Sequence, residues 1–344
     1  MRSPAQATKT ETVATANYAA RQAPAGRPTA GSLKNFGLRY GMLTAFVVML
    51  IIFLVTNESF RQPNNLLNIL QQSSIIGIVA CGMAVMIIAG GFDLSVGAIG
   101  AASTMAGAAI MTGTGSIPLG VLGGIAVGLV AGTFNGLLVS RARITPFVAT
   151  LGSSTIILGI IYASTNAAPI SGIPPEFTQF GLGKIAGIPI PAIVFAGVAL
   201  LIFVVLKWTK IGHYVYAVGS SREASRLAGV PVQGVLLFTF IVGGTLAGLA
   251  GLVLLGQTSI GQPTAGTTWP LTAIAAVVVG GTPLRGGTGG VHSAVIGTLL
   301  LGVLANALNL YGVSPYWQPA VTGAVVLLAV GVDSYQRKSS GGVA

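Results

Sequence analysis

The chain is 344 residues long, 53% hydrophobic and only 7% charged, with 50 glycines and a net charge of +11. This composition excludes an ordinary soluble domain, because apolar runs repeatedly reach the ~20 residues a helix needs to cross a bilayer. It also excludes nucleic-acid binding, since the basic residues lie on short connecting segments rather than on one face interleaved with base-stacking aromatics.

The first 39 residues, rich in Ala, Thr, Pro and Gln and lacking an apolar run, predict a disordered cytoplasmic tail. Candidate spans follow at Tyr40 to Val55, Leu70 to Ala89, Val96 to Met111, Ile117 to Val139 and Thr145 to Tyr162. The second half offers Pro191 to Leu206, Val235 to Leu255, Leu271 to Gly281, Val291 to Leu310 and Trp317 to Val332. The fold class is therefore all-α: a polytopic membrane protein of about ten helices, an even number that puts both termini on one side. Residues 335–344 make a second short tail.

Lys and Arg choose the side. With the N-terminus cytoplasmic, the inside segments hold Arg141 and Arg143, then Lys207, Lys210, Arg222 and Arg226, then Arg285, besides the two tails. Only Arg61 and Lys184 of the 17 basic residues fall outside, as the positive-inside rule requires. Tyr162, Trp208, Trp269, Tyr311 and Trp317 lie near span ends, where amphipathic rings prefer the interface.

Small residues recur at four-residue spacing, as in Gly120, Gly124, Gly128 and Gly132 or Gly244 and Gly248, a pattern that lets helix backbones approach closely. The runs Gly90-Gly91-Phe92-Asp93-Leu94-Ser95 and Gly280-Gly281-Thr282-Pro283-Leu284-Arg285-Gly286-Gly287 instead interrupt apolar segments and predict helix breaks. Their similarity hints at an internal repeat. The span after Leu271 is short for a crossing, so it is expected to be a half-helix or a tilted element. The single cysteine, Cys81, sits in an apolar span as a small core residue.

Ile211 to Gln233 gathers His213, Arg222, Glu223 and Arg226, next to Lys210, in a chain otherwise almost free of charge. Within it, Ser220 reads as an N-cap, Glu223 as the closing member of a capping box and Gly229 as the stop before Pro231. Ala224, Leu227 and Ala228 share one face of this short helix, and Arg222 and Arg226 another. The helix either lies at the lipid surface or acts as a rigid peg for a partner, and its capping and charge favour the peg.

Candidate solute-path residues are few. Asp93 and Ser95 resemble a helix N-cap but are also polar groups near membrane depth. Asn306 and Asn309 share a face of an apolar span, where amides need partners on other helices or on a ligand. Gln257 and Gln262 bracket an expected outside loop, Gln257 to Gly266. Such uncharged groups suit a hydroxyl-rich neutral solute better than an ion. The sequence has no phosphate loop, no His-Glu-x-x-His, no Gly-x-Ser-x-Gly and only two histidines, so neither covalent chemistry, a cofactor nor a catalytic metal is expected. With at most Asp93 and His292 available for ion coupling, energy is expected from another protein.

In chain order, Gly90-Gly-Phe-Asp-Leu-Ser-Val-Gly97, Thr145-Pro-Phe-Val-Ala-Thr-Leu-Gly152, Gly212-His-Tyr-Val-Tyr-Ala-Val-Gly219 with Glu223-Ala224 and Leu227-Ala-Gly229, and Ala273-Ile-Ala-Ala-Val-Val-Val-Gly-Gly-Thr282 resemble the ribose-type permeases. These are membrane subunits of bacterial ATP-binding-cassette sugar importers, and the likeness runs from about Asn64 to Asp333. It implies a permease domain over residues 40–334, with residues 207–233 as the coupling loop. It further implies a second permease copy, two ATPase copies, an extracytoplasmic sugar-binding protein and a monosaccharide substrate. On this likeness Ser220, Arg222, Glu223, Ala224, Arg226, Leu227 and Gly229 form a coupling helix seated in a cleft of the ATPase. Phe92 replaces the family's usual Ile, and Pro270 and Thr272 stand near the expected outer mouth where the family carries acidic residues. Alternatives are a permease for a branched-chain amino acid or a sugar-like signal, and a stand-alone channel or ion-coupled carrier.

Overall fold

The computed structural model describes residue 44, residues 46–321 and, beyond them, residues 323, 324, 327 and 331. The two expected tails, the start of the first span and part of the last therefore lie outside the described residues. What is described is an all-α polytopic membrane protein. Among the described residues, seven helices are long and apolar enough to cross a bilayer, and two shorter apolar helices accompany them.

In chain order the helices are α1 (Phe46–Thr56), α2 (Glu58–Arg61), α3 (Pro63–Ile88), α4 (Val96–Thr114), α5 (Ile117–Ser140) and α6 (Pro146–Thr165). After a short 3-10 turn come α7 (Thr178–Leu182), α8 (Ile190–Trp208), α9 (Lys210–Ser220), α10 (Arg222–Leu227), α11 (Val232–Thr258), α12 (Trp269–Val279) and α13 (Val291–Leu310). Pro63, Pro146, Pro191 and Pro270 each sit in a first turn, where a missing N–H leaves no bond unmade. Between α7 and α8 a two-stranded hairpin, β1 (Lys184–Ile185) with β2 (Ile188–Pro189), turns through Ala186 and Gly187 at positive φ. Its strands are too short to mark themselves by alternation in the sequence.

The centre of the bundle is α11, which packs on α3, α4 and α5, while α3 also meets α8 and α13. The most apolar window of α3 is 83% buried, against 22% for α5 and α6, so α5 and α6 turn Leu122, Val130 and Ile160 outward as a lipid-facing wall. The buried stripe of α5 is its glycine row together with Asn135, Gly136, Val139 and Ser140. A methyl group on Gly128 would overlap the Gly244 carbonyl and lie 3.1 Å from the Gly248 Cα. The α5–α11 crossing is thus backbone against backbone, as the spacing of small residues predicts.

One expectation changes: the polar stretch read as a loop with one helix is a helix pair, α9 and α10, joined at Ser221. The short span is an 11-residue helix, α12, about 16 Å long and unable to cross alone, in keeping with the half-helix expected there.

Candidate functional site

Arg141, Arg143, Arg222, Arg226 and Arg285 gather at one end of the bundle, where α9 and α10 lie across the ends of α3, α5 and α11. Thr209 caps α9 by accepting from the Gly212 N–H at 3.2 Å. The chain leaves that helix at Ser221 (φ −162°, ψ 110°), whose Oγ accepts from the Ala224 N–H at 3.2 Å and starts α10. The N-cap is therefore Ser221 and not Ser220, which remains the last residue of α9. This shift moves Glu223 out of capping-box register, and Glu223 pairs with Arg226 at 2.6 Å instead. The stop is where the sequence placed it: Gly229 takes φ +78°, its N–H bonds the Arg226 carbonyl, and Val230 N–H bonds that of Ser225.

This small helix is rigid at both ends and open at its tip. Leu227 is 81% exposed, and Ala224 and Ala228 beside it are exposed as well. Arg222, Glu223 and Arg226 line a cavity of about 680 Å³ with Arg143, Pro146 and Pro231, so the turn after α5 forms its second wall.

Beneath α9 the two glycine-rich breaks meet. Gly287 N–H donates to the Ile88 carbonyl at 2.8 Å, joining the break after α12 to that after α3. Gly219 lies against both: a Cβ there would overlap the Ile88 oxygen and sit 2.6 Å from the Gly287 nitrogen. Tyr216 donates its hydroxyl to the Gly289 carbonyl at 3.0 Å, and burial holds this phenol above its ordinary pKa, so it stays a neutral donor. Arg222 Nη2 donates to the Gly90 carbonyl at 3.1 Å. Gly90 and Gly287 take φ of +77° and +76°, a region closed to most side chains. Helix α9 thus meets both breaks by backbone at Gly219, while α10 reaches the first through the Arg222 side chain.

Asp93 is fully buried at the first break and works as a clasp. It accepts from the Ser95 N–H and Oγ–H, both at 2.6 Å, and from the Asn135 amide at 3.3 Å. The Asn135 amide also reaches Ser95 Oγ at 2.7 Å, and Leu94 N–H donates to Thr150 Oγ1 at 3.0 Å. The break is thus tied to α5 and α6, and neither Asp93 nor Ser95 faces an open space. Asn306 exchanges two amide bonds with Asn65 of α3, at 2.8 and 3.0 Å, while Asn309 accepts from Gln318 at 3.1 Å. Gln257 is partly buried with its Nε2 unpartnered among the described residues.

The sequence profile described as branched-chain amino acid transport system / permease component matches residues 65–330. The chain belongs to this family. Similar proteins include the ribose import permease of Bacillus subtilis, 39% identical over 88% of this chain and 94% of its own length. The D-allose transport system permease of Escherichia coli is 34% identical over 87% of this chain and 93% of its own, and the L-arabinose transport system permease of the same organism is 32% identical over 88% and 92%. No solved structure matches the chain. As a permease component of this family, the protein is a multi-pass inner-membrane protein and not itself an enzyme.

The permease's site residues missed by sequence reasoning are Asn65, Asn135, Thr150 and Tyr216. Asn135 carried a signal, since an amide inside an apolar span must find a partner, but it was masked by the glycine row around it. Pro270 is buried beside Gly97, and Thr272, only partly buried, donates its Oγ1 to the Thr268 carbonyl at 2.9 Å one turn back in α12.

Proposed function

We propose that the chain is the membrane-spanning subunit of an ATP-binding-cassette importer that translocates a monosaccharide handed over by an extracytoplasmic binding protein. In this reading it has about ten spans with both termini cytoplasmic, and it works as a pair of copies with two ATPase subunits. The observation that carries the reading is α10: a doubly capped helix at the arginine-rich end, with Leu227 bare to solvent and Arg222, Glu223 and Arg226 beside a cavity. An apolar tip with a charged collar fits insertion into a cleft of a partner protein better than contact with lipid headgroups, and the positive-inside rule puts this end in the cytoplasm with the ATPase.

ATP-driven closure of the ATPases would press on Ser220, Arg222, Glu223, Ala224, Arg226, Leu227 and Gly229, and the junction at Gly219 would pass that displacement to both helix breaks. Access then alternates only if the ATPases engage the two states of the permease with different affinity. Asn309 and Gln257 would belong to the path, with the Asn65–Asn306 pair and the Asp93–Ser95 clasp holding the helices that frame it. The sugar class rests on the ribose, allose and arabinose permeases it is similar to. The family description favours a second solute class, branched-chain amino acids, and direct solute titration of the partner binding protein separates the two.

Replacing Arg222 and Glu223 together with Gln tests the coupling role. Membrane insertion is expected to be intact and ATP-dependent uptake lost, and uptake at the parental rate would exclude the role. Concentrative uptake into liposomes holding the permease alone would instead favour an ion-coupled carrier.

A further inference from the structure

Between α11 and α12 the chain does not turn at the surface; it descends along α4. Gly261 lies against Thr104, Met105 and Ala108 and exchanges backbone bonds with Ile170 at 2.8 and 2.9 Å. Thr104 donates its hydroxyl to the Gln262 carbonyl at 3.3 Å. Further down, a Cβ on Gly266 would lie 3.0 Å from the Gly97 Cα, and the Trp269 ring fills the space beside Gly100. At 1.5 Å per residue, Gly100 lies roughly 20 Å below the end of α4 at Thr114, well inside an apolar core of about 30 Å. The expected outside loop is thus a non-helical strap at membrane depth.

Backbone of this kind cannot face acyl chains, because nothing there satisfies its polar groups; it must face protein or water. Its inner side is covered, with Gly261, Pro263, Ala265, Trp269 and Pro270 buried, and the two prolines remove N–H groups that would need partners. Its other side carries Thr264, Thr267, Thr268 and Leu271, all exposed. From Gly256 to Gly281 there is no charged residue.

We propose that this strap lines the solute path, with the hydroxyls of Thr264, Thr267 and Thr268 as a ladder of donors and acceptors for the hydroxyl groups of a neutral solute. The proposal rests on the permease reading above and assigns the place of contact. A hydroxyl both gives and takes a hydrogen bond, so a row of them accepts successive sugar hydroxyls without a fixed charge to trap the solute.

The test uses the complete importer in liposomes, with Cys81 retained because it is fully buried. A membrane-impermeant thiol reagent, which attacks only a hydrated thiolate, is added from the binding-protein side to Thr268→Cys and to Val130→Cys, the latter on the lipid-facing wall. The Thr268→Cys variant is expected to react at least about tenfold faster than Val130→Cys and to lose D-ribose uptake on modification. Equal, slow reaction of both would overturn the proposal. Without reagent, Thr268→Val should raise the half-saturating D-ribose concentration by about threefold or more while Thr268→Ser stays near the parent, since only Val lacks the hydroxyl. A half-saturating concentration unchanged in Thr268→Val would also overturn it. Fast labelling in an importer that moves no sugar would sink the sugar reading and leave the strap as the water-lined path.

Discussion

Gly219→Ala places one methyl group at the point where α9 meets both helix breaks. The new carbon would overlap the Ile88 oxygen and lie 2.9 Å from its carbonyl carbon and 2.6 Å from the Gly287 nitrogen, where carbon contacts normally need about 3.5–4.0 Å. All three neighbours are backbone, so no side chain can swing aside, and α9 must retreat by about 1 Å. Overpacking of this kind costs about 1–3 kcal/mol. Loss of the 2.8 Å bond from Gly287 to Ile88 adds about 1 kcal/mol. The purified variant should unfold several degrees below the parent in a thermal scan, and the reconstituted importer should lose most of its uptake while still hydrolysing ATP. Gly197→Ala is the control, because nothing lies within 4 Å of its missing Cβ and Ala favours a helix by up to about 1 kcal/mol. If Gly219→Ala matched Gly197→Ala in both midpoint and uptake, the junction could not be what transmits the push.

Asp93→Ala would leave the Ser95 N–H and hydroxyl proton without their acceptor in a fully buried site and take from Asn135 one of its two bonds, a loss of about 3 kcal/mol or more, whereas Asp93→Asn keeps an acceptor and should cost clearly less. Thermal midpoints of the two purified variants decide it, and equal losses would count against the clasp. Asn306→Leu removes both of Asn65's bonds to α13, leaving only its bond to the Phe60 carbonyl, and should destabilise α13 against α3 by about 1–2 kcal/mol, with weaker uptake but undiminished ATPase association. Adding Asn65→Leu should restore part of that stability, and a double-mutant cycle with coupling below about 0.5 kcal/mol would show the amides to be independent.

The sequence by itself determined the membrane class, the placement of most long helices, the glycine row of α5 and the end of α10 at Gly229. Each depends on hydropathy, spacing or φ preference within one segment, and these forces act the same wherever the segment sits. Even locally the reading stopped short of a choice between two adjacent serines: Ser220 and Ser221 are equal as capping side chains, and the backbone turn at Ser221 decides between them.

The rest belonged to the tertiary structure. The breaks at Gly90 and Gly287 looked like parallel features of two halves, but their contact through Ile88 and Gly219 exists only because three backbones arrive within hydrogen-bond distance. Asp93 read first as a helix cap, with a path role still open to it, and only the tertiary structure brought Asn135 of another helix onto it. The segment after Gln257 read as an exposed polar loop because polarity records what a residue tolerates and not its depth. Its descent beside α4 follows from the missing side chains of Gly97 and Gly100, which open the space that Gly266 and Trp269 fill.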